Sequence, residues 1–245
     1  MKSKQPRIAV LQLGMLPVDL AATWPNYGQM IINWLSGELH EVEYQTLSIV
    51  EGEALPAPDE YDGVVYSGSR HGVYDELPWI EPLKVFVRAT AKLGRPQFGI
   101  CFGHQLMAQA FGGRAEKSSS GWGCGVQQYA IDDGAGETRK VNVLVMHQDQ
   151  VHDLPIGANL LGGSDFCRNG VIEYRQAARS VQFHPEFSAA YLAELLRIYG
   201  GSTFSTTVAD SAAATLGQEL RQELVAQWVA RFFRHHFGSG DSSVD

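Results

Sequence analysis

The sequence is poor in three features that each mark a class of protein. It has only three cysteines in 245 residues, Cys101, Cys124 and Cys167, and their odd number and unrelated spacing argue against a framework of disulfides. It has no run of lysine and arginine, and its net charge of −8 argues against a surface for nucleic acids or anionic membranes. No apolar stretch is long enough to span a bilayer, and the first residues do not form a signal peptide. We therefore expect a cytoplasmic protein without nucleic-acid or membrane partners.

The composition indicates a globular protein with a large core. Hydrophobic residues make up 44% of the chain and charged residues 19%, which are ordinary values. A chain of this length can build one α/β domain that needs neither disulfides nor a metal to complete its core. We expect a single domain over 1–238, with its core at 7–200, a C-terminal helical extension over about 208–238 and a disordered tail at 239–245.

Strands and helices alternate through the first half of the chain. Compact apolar runs that end at glycine turns predict buried parallel strands, and apolar residues at helical spacing predict the helices between them. This alternation implies right-handed crossovers and a parallel sheet whose active site lies at the carboxyl ends of the strands. The predicted strands are 7–14, 40–49, 62–69 and 96–101, and the predicted helices are 24–39, 79–93 and 103–111.

The second half of the chain changes to short strand-like runs separated by Gly, Asp and Asn turns. We expect these runs to add antiparallel strands to one side of the parallel sheet, with the last run returning to it. The fold class is therefore predicted to be α/β, with an open, mostly parallel sheet flanked by helices. The predicted strands are 123–131, 140–146, 159–163, 171–175 and 180–183.

The C-terminal part is predicted to be helical. A helix at 188–199 is followed by a small-residue connection at 201–207 and a long final helix at 213–237. An apolar stripe runs along the final helix, and we expect it to pack into the core of this domain rather than against a partner. The stripe consists of Leu216, Leu220, Leu224, Trp228 and Phe232.

The segment around Cys101 is typical of a displayed nucleophile. Gly99 and Gly103 lie two positions to either side of Cys101, so the backbone can turn sharply from a strand into a helix and approach a substrate. The positive end of the following helix dipole would stabilise a thiolate at this position. Cys124 and Cys167 are expected to be small buried residues without such a role.

His184 and Glu186 are predicted to complete the reactive group. If the chain is extended here, residues two apart point to the same side, so Glu186 accepts a hydrogen bond from one ring nitrogen of His184 and the other nitrogen points to Cys101. This is the nucleophile, base and orienting acid of acyl transfer. The alternative is a surface histidine beside a helix-capping glutamate, and the nearby nucleophile turn argues against it.

An oxyanion formed at Cys101 needs hydrogen-bond donors. The N–H of Phe102, at the start of its helix, is the first candidate. The second is the N–H of Ser69, because Gly68 allows that turn to direct a peptide inward. The alternative for this turn is an ordinary end of a strand.

A metal site is the alternative interpretation of the histidines near the middle of the chain. His147, Asp149 and His152 are mixed ligands whose spacing matches no zinc or iron pattern, and the nucleophile needs no metal. We therefore expect neither a metal nor another cofactor. His104 is expected to make a structural hydrogen bond.

Four segments together give the chain a recognisable pattern: YSGS at 66–69, GICFGHQ at 99–105, MHQDQVHDLP at 146–155 and SVQFHPE at 180–186. In this order they resemble the class I, triad-type glutamine amidotransferases, and the third segment is most similar to the GMP-synthase-like branch. The turn reads Gly68-Ser69-Arg70, where many members have Gly-Gly-Pro.

The resemblance implies a flavodoxin-like or Rossmann-like glutaminase fold and a specific reaction. Cys101 would attack the side-chain amide of glutamine, His184 would protonate the leaving ammonia, and water would hydrolyse a γ-glutamyl thioester. The resemblance further implies that Gln105 holds the substrate and that the backbone around His147 and Gln148 meets its α-amino and carboxylate end.

Three interpretations of this chemistry stay open. The protein is a glutaminase that supplies ammonia to a separate synthetase subunit, or a stand-alone hydrolase of γ-glutamyl amides or peptides, or a catalytically silent regulatory module on the same fold. The intact set of Cys101, His184 and Glu186 argues against the third, since such a module needs none of them. The sequence leaves the oligomeric state undecided.

Overall fold

The structure, a computed structural model, describes residues 5–132 and 137–238. The tail predicted to be disordered, 239–245, lies outside the described residues. Eleven strands and six α-helices occur in the described part. The strands are β1 (Arg7–Gln12), β2 (Glu43–Ser48), β3 (Gly63–Tyr66), β4 (Gln97–Ile100), β5 (Arg114–Lys117), β6 (Gly123–Asp132), β7 (Thr138–His147), β8 (Asp149–Asp153), β9 (Asn159–Gly163), β10 (Val171–Tyr174) and β11 (Ala178–Val181). The helices are α1 (Tyr27–Leu35), α2 (Ile80–Lys92), α3 (Phe102–Ala110), α4 (Ala189–Tyr199), α5 (Thr206–Ala213) and α6 (Gln222–Gly238).

Nine of the strands form one mixed sheet in the order β2-β1-β3-β4-β11-β10-β9-β6-β7. The pairs among β2, β1, β3, β4 and β11 are parallel, and each further pair is antiparallel. The predicted fold class is therefore confirmed. The apolar runs of β1, β3 and β4 are buried on both faces because helices cover both sides of a parallel sheet.

The core lies on both faces of this sheet, and alternate residues of β1 divide between them. Ile8 and Val10 pack on one face with residues of α1 and α6. Ala9 and Leu11 pack on the other with residues of α2 and α3. This division follows from the two-residue period of a strand. Parallel pairing of β3 with β4 and of β4 with β11 places the carboxyl ends of these strands next to one another at the same edge of the sheet.

Strands β5 and β8 form a separate antiparallel pair that was not predicted. Only Ala115 of the four residues in β5 is buried, so no apolar run marks this strand. Pairing with β8 depends on a contact between segments more than thirty residues apart, which local patterns do not reveal.

The prediction of one long final helix over 213–237 was wrong, because the chain forms α5 and α6 with a turn between them. The Thr215 hydroxyl donates to the Ala212 carbonyl at 2.6 Å and accepts from the Val126 N–H at 2.8 Å, which ends α5 against β6. The connection predicted at 201–207 is also shorter, because Ser205 caps the start of α5. The apolar stripe packs into the protein as predicted, but its residues divide between two clusters of the core.

Candidate functional site

Cys101 lies at the sharp turn between β4 and α3, as predicted. Its φ and ψ angles are 52° and −102°, a strained conformation for a residue with a side chain. Its N–H donates to the Val181 carbonyl of β11 at 2.9 Å. A Cβ atom at Gly99 would lie 2.6 Å from the Gly103 backbone, and one at Gly103 would lie 2.5 Å from the Tyr66 carbonyl oxygen. The turn therefore requires glycine at both flanking positions, since Cβ atoms do not approach so closely.

His184 and Glu186 follow β11 and lie within the protein. The His184 Nδ1 donates to the Glu186 Oε1 at 2.8 Å, and the side chains are 6% and 1% exposed. The expected pair forms, but the expected extended backbone was wrong, because β11 ends at Val181 and Pro185 and Glu186 lie in a turn. The His184 N–H donates to the Leu144 carbonyl of β7 at 2.8 Å. This hydrogen bond to β7 fixes the position of His184 beyond the end of β11.

The structure brings Cys101 and His184 together beside Gly68. A Cβ atom at Gly68 would lie 2.8 Å from the His184 Cε1 and 3.7 Å from the Cys101 Cβ. Burial lowers the pKa of His184, but the charge of Glu186, the charge of a Cys101 thiolate and hydrogen bonds with both outweigh burial and raise this pKa above its ordinary value. The arrangement favours the imidazolium form of His184 beside the Cys101 sulfur.

The two expected oxyanion donors lie at the ends of β3 and β4. Among the described residues, neither the Phe102 N–H nor the Ser69 N–H meets a hydrogen-bond acceptor. The buried Ser67 hydroxyl accepts from the Leu13 N–H at 2.8 Å and donates to the Gly68 carbonyl at 2.9 Å. Because the carbonyl and N–H of one peptide point in opposite directions, this bond directs the Ser69 N–H away from Ser67.

Gln105, His147 and Gln148 all line the cavity that contains Cys101. The Gln105 Nε2 donates to the Asp149 carbonyl at 3.0 Å and to the Gln182 Oε1 at 3.1 Å. Both of its donors are therefore used within the protein. Its amide oxygen is the group left to contact a ligand.

His147 is buried, and its Nδ1 donates to the Asp149 carbonyl at 3.1 Å. Burial lowers the pKa of His147 to about 4, so its ring is neutral at pH 7 and Nε2 is an acceptor. That Nε2 is buried without a hydrogen-bond partner among the described residues. Within 5–132 and 137–238 no three His, Cys, Asp or Glu side chains gather as a metal site, and His152 is exposed on β8.

The other two cysteines differ from Cys101. Burial raises the pKa of Cys124 and of Cys167 to about 12, so both are thiols at pH 7. Cys167 is fully buried as expected, whereas Cys124 is only partly buried on β6. His104 makes the expected structural hydrogen bond, with its Nδ1 2.8 Å from the Ser180 hydroxyl oxygen.

The cavity has a volume of about 530 Å³, and most of its wall was not predicted. Tyr74 of the loop after Ser69 lines the cavity together with Asp149, and Trp122 and Tyr199 come from segments far apart in the sequence. None of these residues belongs to a recognisable motif of its own. Their contact with the site depends on how β6, β8 and α4 pack.

The sequence matches known proteins over most of its length. Residues 26–195 match the sequence profile of the family described as glutamine amidotransferase class-I. Gamma-glutamyl peptidase 4 of Arabidopsis thaliana is 27% identical over 206 residues, which cover 79% of this chain and 81% of that protein. The glutamine-hydrolyzing GMP synthase subunit of Archaeoglobus fulgidus is 36% identical over 111 residues, which cover 43% of this chain and 61% of that protein.

The fold also has a close counterpart among solved structures. A glutamine amidotransferase from Thermotoga maritima has a TM-score of 0.74 at 20% identity, with 96% of this chain and 99% of that chain covered. At this identity the likeness concerns the fold. Within the described ranges, 5–132 and 137–238, no helix combines the length and the apolar character that crossing a bilayer requires.

Proposed function

Because the chain belongs to the class I glutamine amidotransferase family, we propose that it hydrolyses the amide bond of γ-glutamyl carboxamides through Cys101. The observation that carries this proposal is the meeting of Cys101 and His184 beside Gly68 in one cavity, with the His184 ring hydrogen-bonded to Glu186. A nucleophile, a base and a group that orients the base are the parts that acyl transfer requires.

In the first step the Cys101 sulfur attacks the γ-carbonyl carbon of the substrate. The oxygen that becomes negative accepts hydrogen bonds from the N–H groups of Phe102 and Ser69, and Ser67 holds the Gly68 peptide in place. Donors that are fixed before the reaction stabilise the developing charge without reorganisation.

In the following steps His184 transfers protons while Glu186 holds its ring. The imidazolium gives its proton to the leaving nitrogen as the carbon–nitrogen bond breaks, and a γ-glutamyl thioester with Cys101 remains. His184 then takes a proton from water, which attacks the thioester and releases glutamate and the thiol. We assign Gln105, His147 and Gln148 to the γ-glutamyl part of the substrate.

Two forms of this activity have separate support. The similarity to gamma-glutamyl peptidase 4 extends over most of both chains, which favours a stand-alone γ-glutamyl hydrolase. The similarity to the GMP synthase subunit of Archaeoglobus fulgidus favours a glutaminase that delivers ammonia to a separate synthetase subunit. A silent module is disfavoured because it would not need the buried pair of His184 and Glu186.

Three free thiols fit a reducing compartment, and we propose the cytoplasm.

Substitution of the nucleophile tests the proposed function. Cys101→Ala should lower glutamate release from glutamine and from γ-glutamyl dipeptides by at least about 10³-fold, because the covalent path is lost. Cys124→Ala is the matched control and should retain activity, with thermal unfolding measured for both variants. A glutamine-like electrophile should label Cys101 and spare Cys124 and Cys167. Turnover by Cys101→Ala, or equal labelling of all three thiols, would remove the assignment.

The same assay separates the two forms of the activity. Vigorous unaided hydrolysis of γ-glutamyl dipeptides supports the stand-alone hydrolase. Glutamine hydrolysis that begins only when a synthetase is added supports the ammonia-delivering form.

A further inference from the structure

The cavity around Cys101 is larger than chemistry on a carboxamide alone requires. Its volume of about 530 Å³ falls in the range of roughly 300–1,000 Å³ that is typical of pockets for drug-sized ligands. The cavity therefore has room for a substituent on the leaving nitrogen. Two chemically different groups of side chains lie in its wall.

One part, the polar arm, is built around Asp149 and comprises Gln105, Tyr74, Asp75, Lys117 and Asp149. The Asp149 carbonyl accepts from Gln105 at 3.0 Å, and its carboxylate lies close enough to Tyr74 to interact with it electrostatically. Lys117 and Asp75 place opposite charges close to that carboxylate. Mixed charges suit the α-ammonium and α-carboxylate of a γ-glutamyl group.

The other part, the aromatic arm, extends from His184 along uncharged side chains. The Phe187 ring stacks on the His184 imidazole with centroids 4.0 Å apart and planes 6° apart, and the Tyr27 ring centroid lies 5.8 Å from that of Phe187. Six uncharged lining residues form the aromatic arm: Tyr27, Trp122, Met146, Phe187, Leu195 and Tyr199.

We propose that the aromatic arm binds the leaving amine, and that the preferred substrate is a γ-glutamyl amide of a bulky apolar or aromatic amine. This proposal rests on the proposed function, because His184 can protonate the leaving nitrogen only if that nitrogen lies beside the imidazole. A hydrocarbon substituent on the nitrogen then lies against Phe187 and Tyr27 and is removed from water. None of the six side chains of the aromatic arm could form an ion pair with a carboxylate in the same place.

The chemistry on such a substrate needs no further reactant. The Cys101 sulfur forms a bond with the γ-carbonyl carbon, the bond from that carbon to nitrogen breaks, and the nitrogen takes the proton of His184 and leaves as the free amine. Water then cleaves the thioester to glutamate. No atom is oxidised or reduced.

Three substrates test this proposal on the full chain: γ-glutamyl-benzylamide, γ-glutamyl-glycine and glutamine, with released glutamate as the readout. We expect kcat/KM for the benzylamide to exceed the values for the other two substrates by at least about tenfold. The reason is that glutamine and γ-glutamyl-glycine lack the benzyl group and therefore its apolar contacts. Equal turnover, or a preference for glutamine or γ-glutamyl-glycine, overturns the proposal but leaves the proposed function standing. No glutamate from any of the three overturns both.

Substitutions in the aromatic arm locate the preference. Tyr199→Ala and Trp122→Ala should each lower the ratio of kcat/KM for benzylamide to that for glutamine by at least about fivefold. This ratio is measured within one preparation, so a partly folded sample does not change it. Tyr44→Ala is the matched control, because Tyr44 is a half-buried tyrosine on β2 outside the cavity, and its ratio should stay at the wild-type value. An unchanged ratio in both arm variants overturns the assignment of the aromatic arm.

Discussion

At the scale of single residues, the site depends on strain and charge that neighbouring groups hold in place. The backbone of Cys101 has a conformation that costs about 1–3 kcal/mol for a residue with a side chain. The hydrogen bond of its N–H to Val181 and the close packing of Gly99 and Gly103 oppose relaxation of this turn. Only a tightly packed surrounding can present a thiol in this way.

The protonation of His184 depends on the charge of Glu186. Burial alone would lower its pKa, and the charge of Glu186 is the largest of the effects that raise it. A raised folded-state pKa adds stability that is complete below the unfolded value of about 6.5 and is lost as pH rises through the folded value. In Glu186→Gln the charge is lost, so the alkaline limb of kcat/KM should move to lower pH, and kcat should fall less than in His184→Ala.

A pH profile of glutamate release between pH 5 and pH 11 measures this shift. Glu194→Gln, which changes a partly exposed carboxylate of α4 that pairs with Arg197, is the control and should keep the wild-type profile. An alkaline limb that does not move in Glu186→Gln would show that Glu186 does not control the proton on His184.

At the scale of elements, α6 supports the turn that carries the histidine and the glutamate. The Gln222 side chain, at the start of α6, donates from Nε2 to the Pro185 carbonyl at 2.8 Å and to the Phe187 carbonyl at 2.5 Å. The Gln222 carbonyl in turn accepts from the Trp34 indole of α1 at 3.2 Å. Both acceptors flank Glu186, although Gln222 lies outside the 26–195 segment that matches the family profile.

Gln222→Ala should therefore impair catalysis, although Gln222 does not line the cavity. We expect kcat to fall by about tenfold with little change in KM, because small displacements of catalytic groups are costly. We also expect the free energy of unfolding to fall by about 1–3 kcal/mol, because two carbonyls lose their donor. Gln227→Ala is the matched control, since Gln227 of the same helix hydrogen-bonds with Glu38 at 3.2 Å. Steady-state kinetics that show equal loss in both variants would contradict a role for Gln222 in positioning the turn.

At the scale of the whole molecule, stability depends on histidines that are kept neutral in the interior. Burial lowers the pKa of His104 to about 3 and that of His147 to about 4. Below about pH 6.5 the unfolded chain binds protons that these native side chains do not bind. Stability that comes from the two histidines is therefore lost as pH falls through this range.

Urea unfolding at pH 7 and pH 5 tests this loss. Each of the two histidines should lower the free energy of unfolding by about 2 kcal/mol between these pH values, so His104→Asn should reduce the pH dependence by about that amount, whatever its stability at pH 7. His40→Asn, at an exposed position, serves as the control. A pH dependence equal to that of the wild type in His104→Asn would mean that this ring is protonated in the native protein.

The features that could be predicted from the sequence are those with local signals in the chain. The apolar runs of β1, β3 and β4 and the helical spacing of α1, α2 and α3 predicted the parallel half of the sheet, because burial on both faces requires such runs. The glycines around Cys101 predicted the nucleophile turn, because the steric requirements of a sharp turn involve only a few consecutive residues.

The features that depend on contacts between distant segments could not be predicted from the sequence. Thr215 ends α5 because it contacts β6, and β5 becomes a strand only by pairing with β8. His184 and Glu186 meet in a turn held by β7 and Gln222 rather than in an extended strand. The residues of the two arms of the cavity belong to separate loops, strands and helices, and no periodic pattern in the sequence relates them. Local sequence patterns predict which face of a helix or strand is buried. Which residues that face contacts depends on the packing of the whole chain.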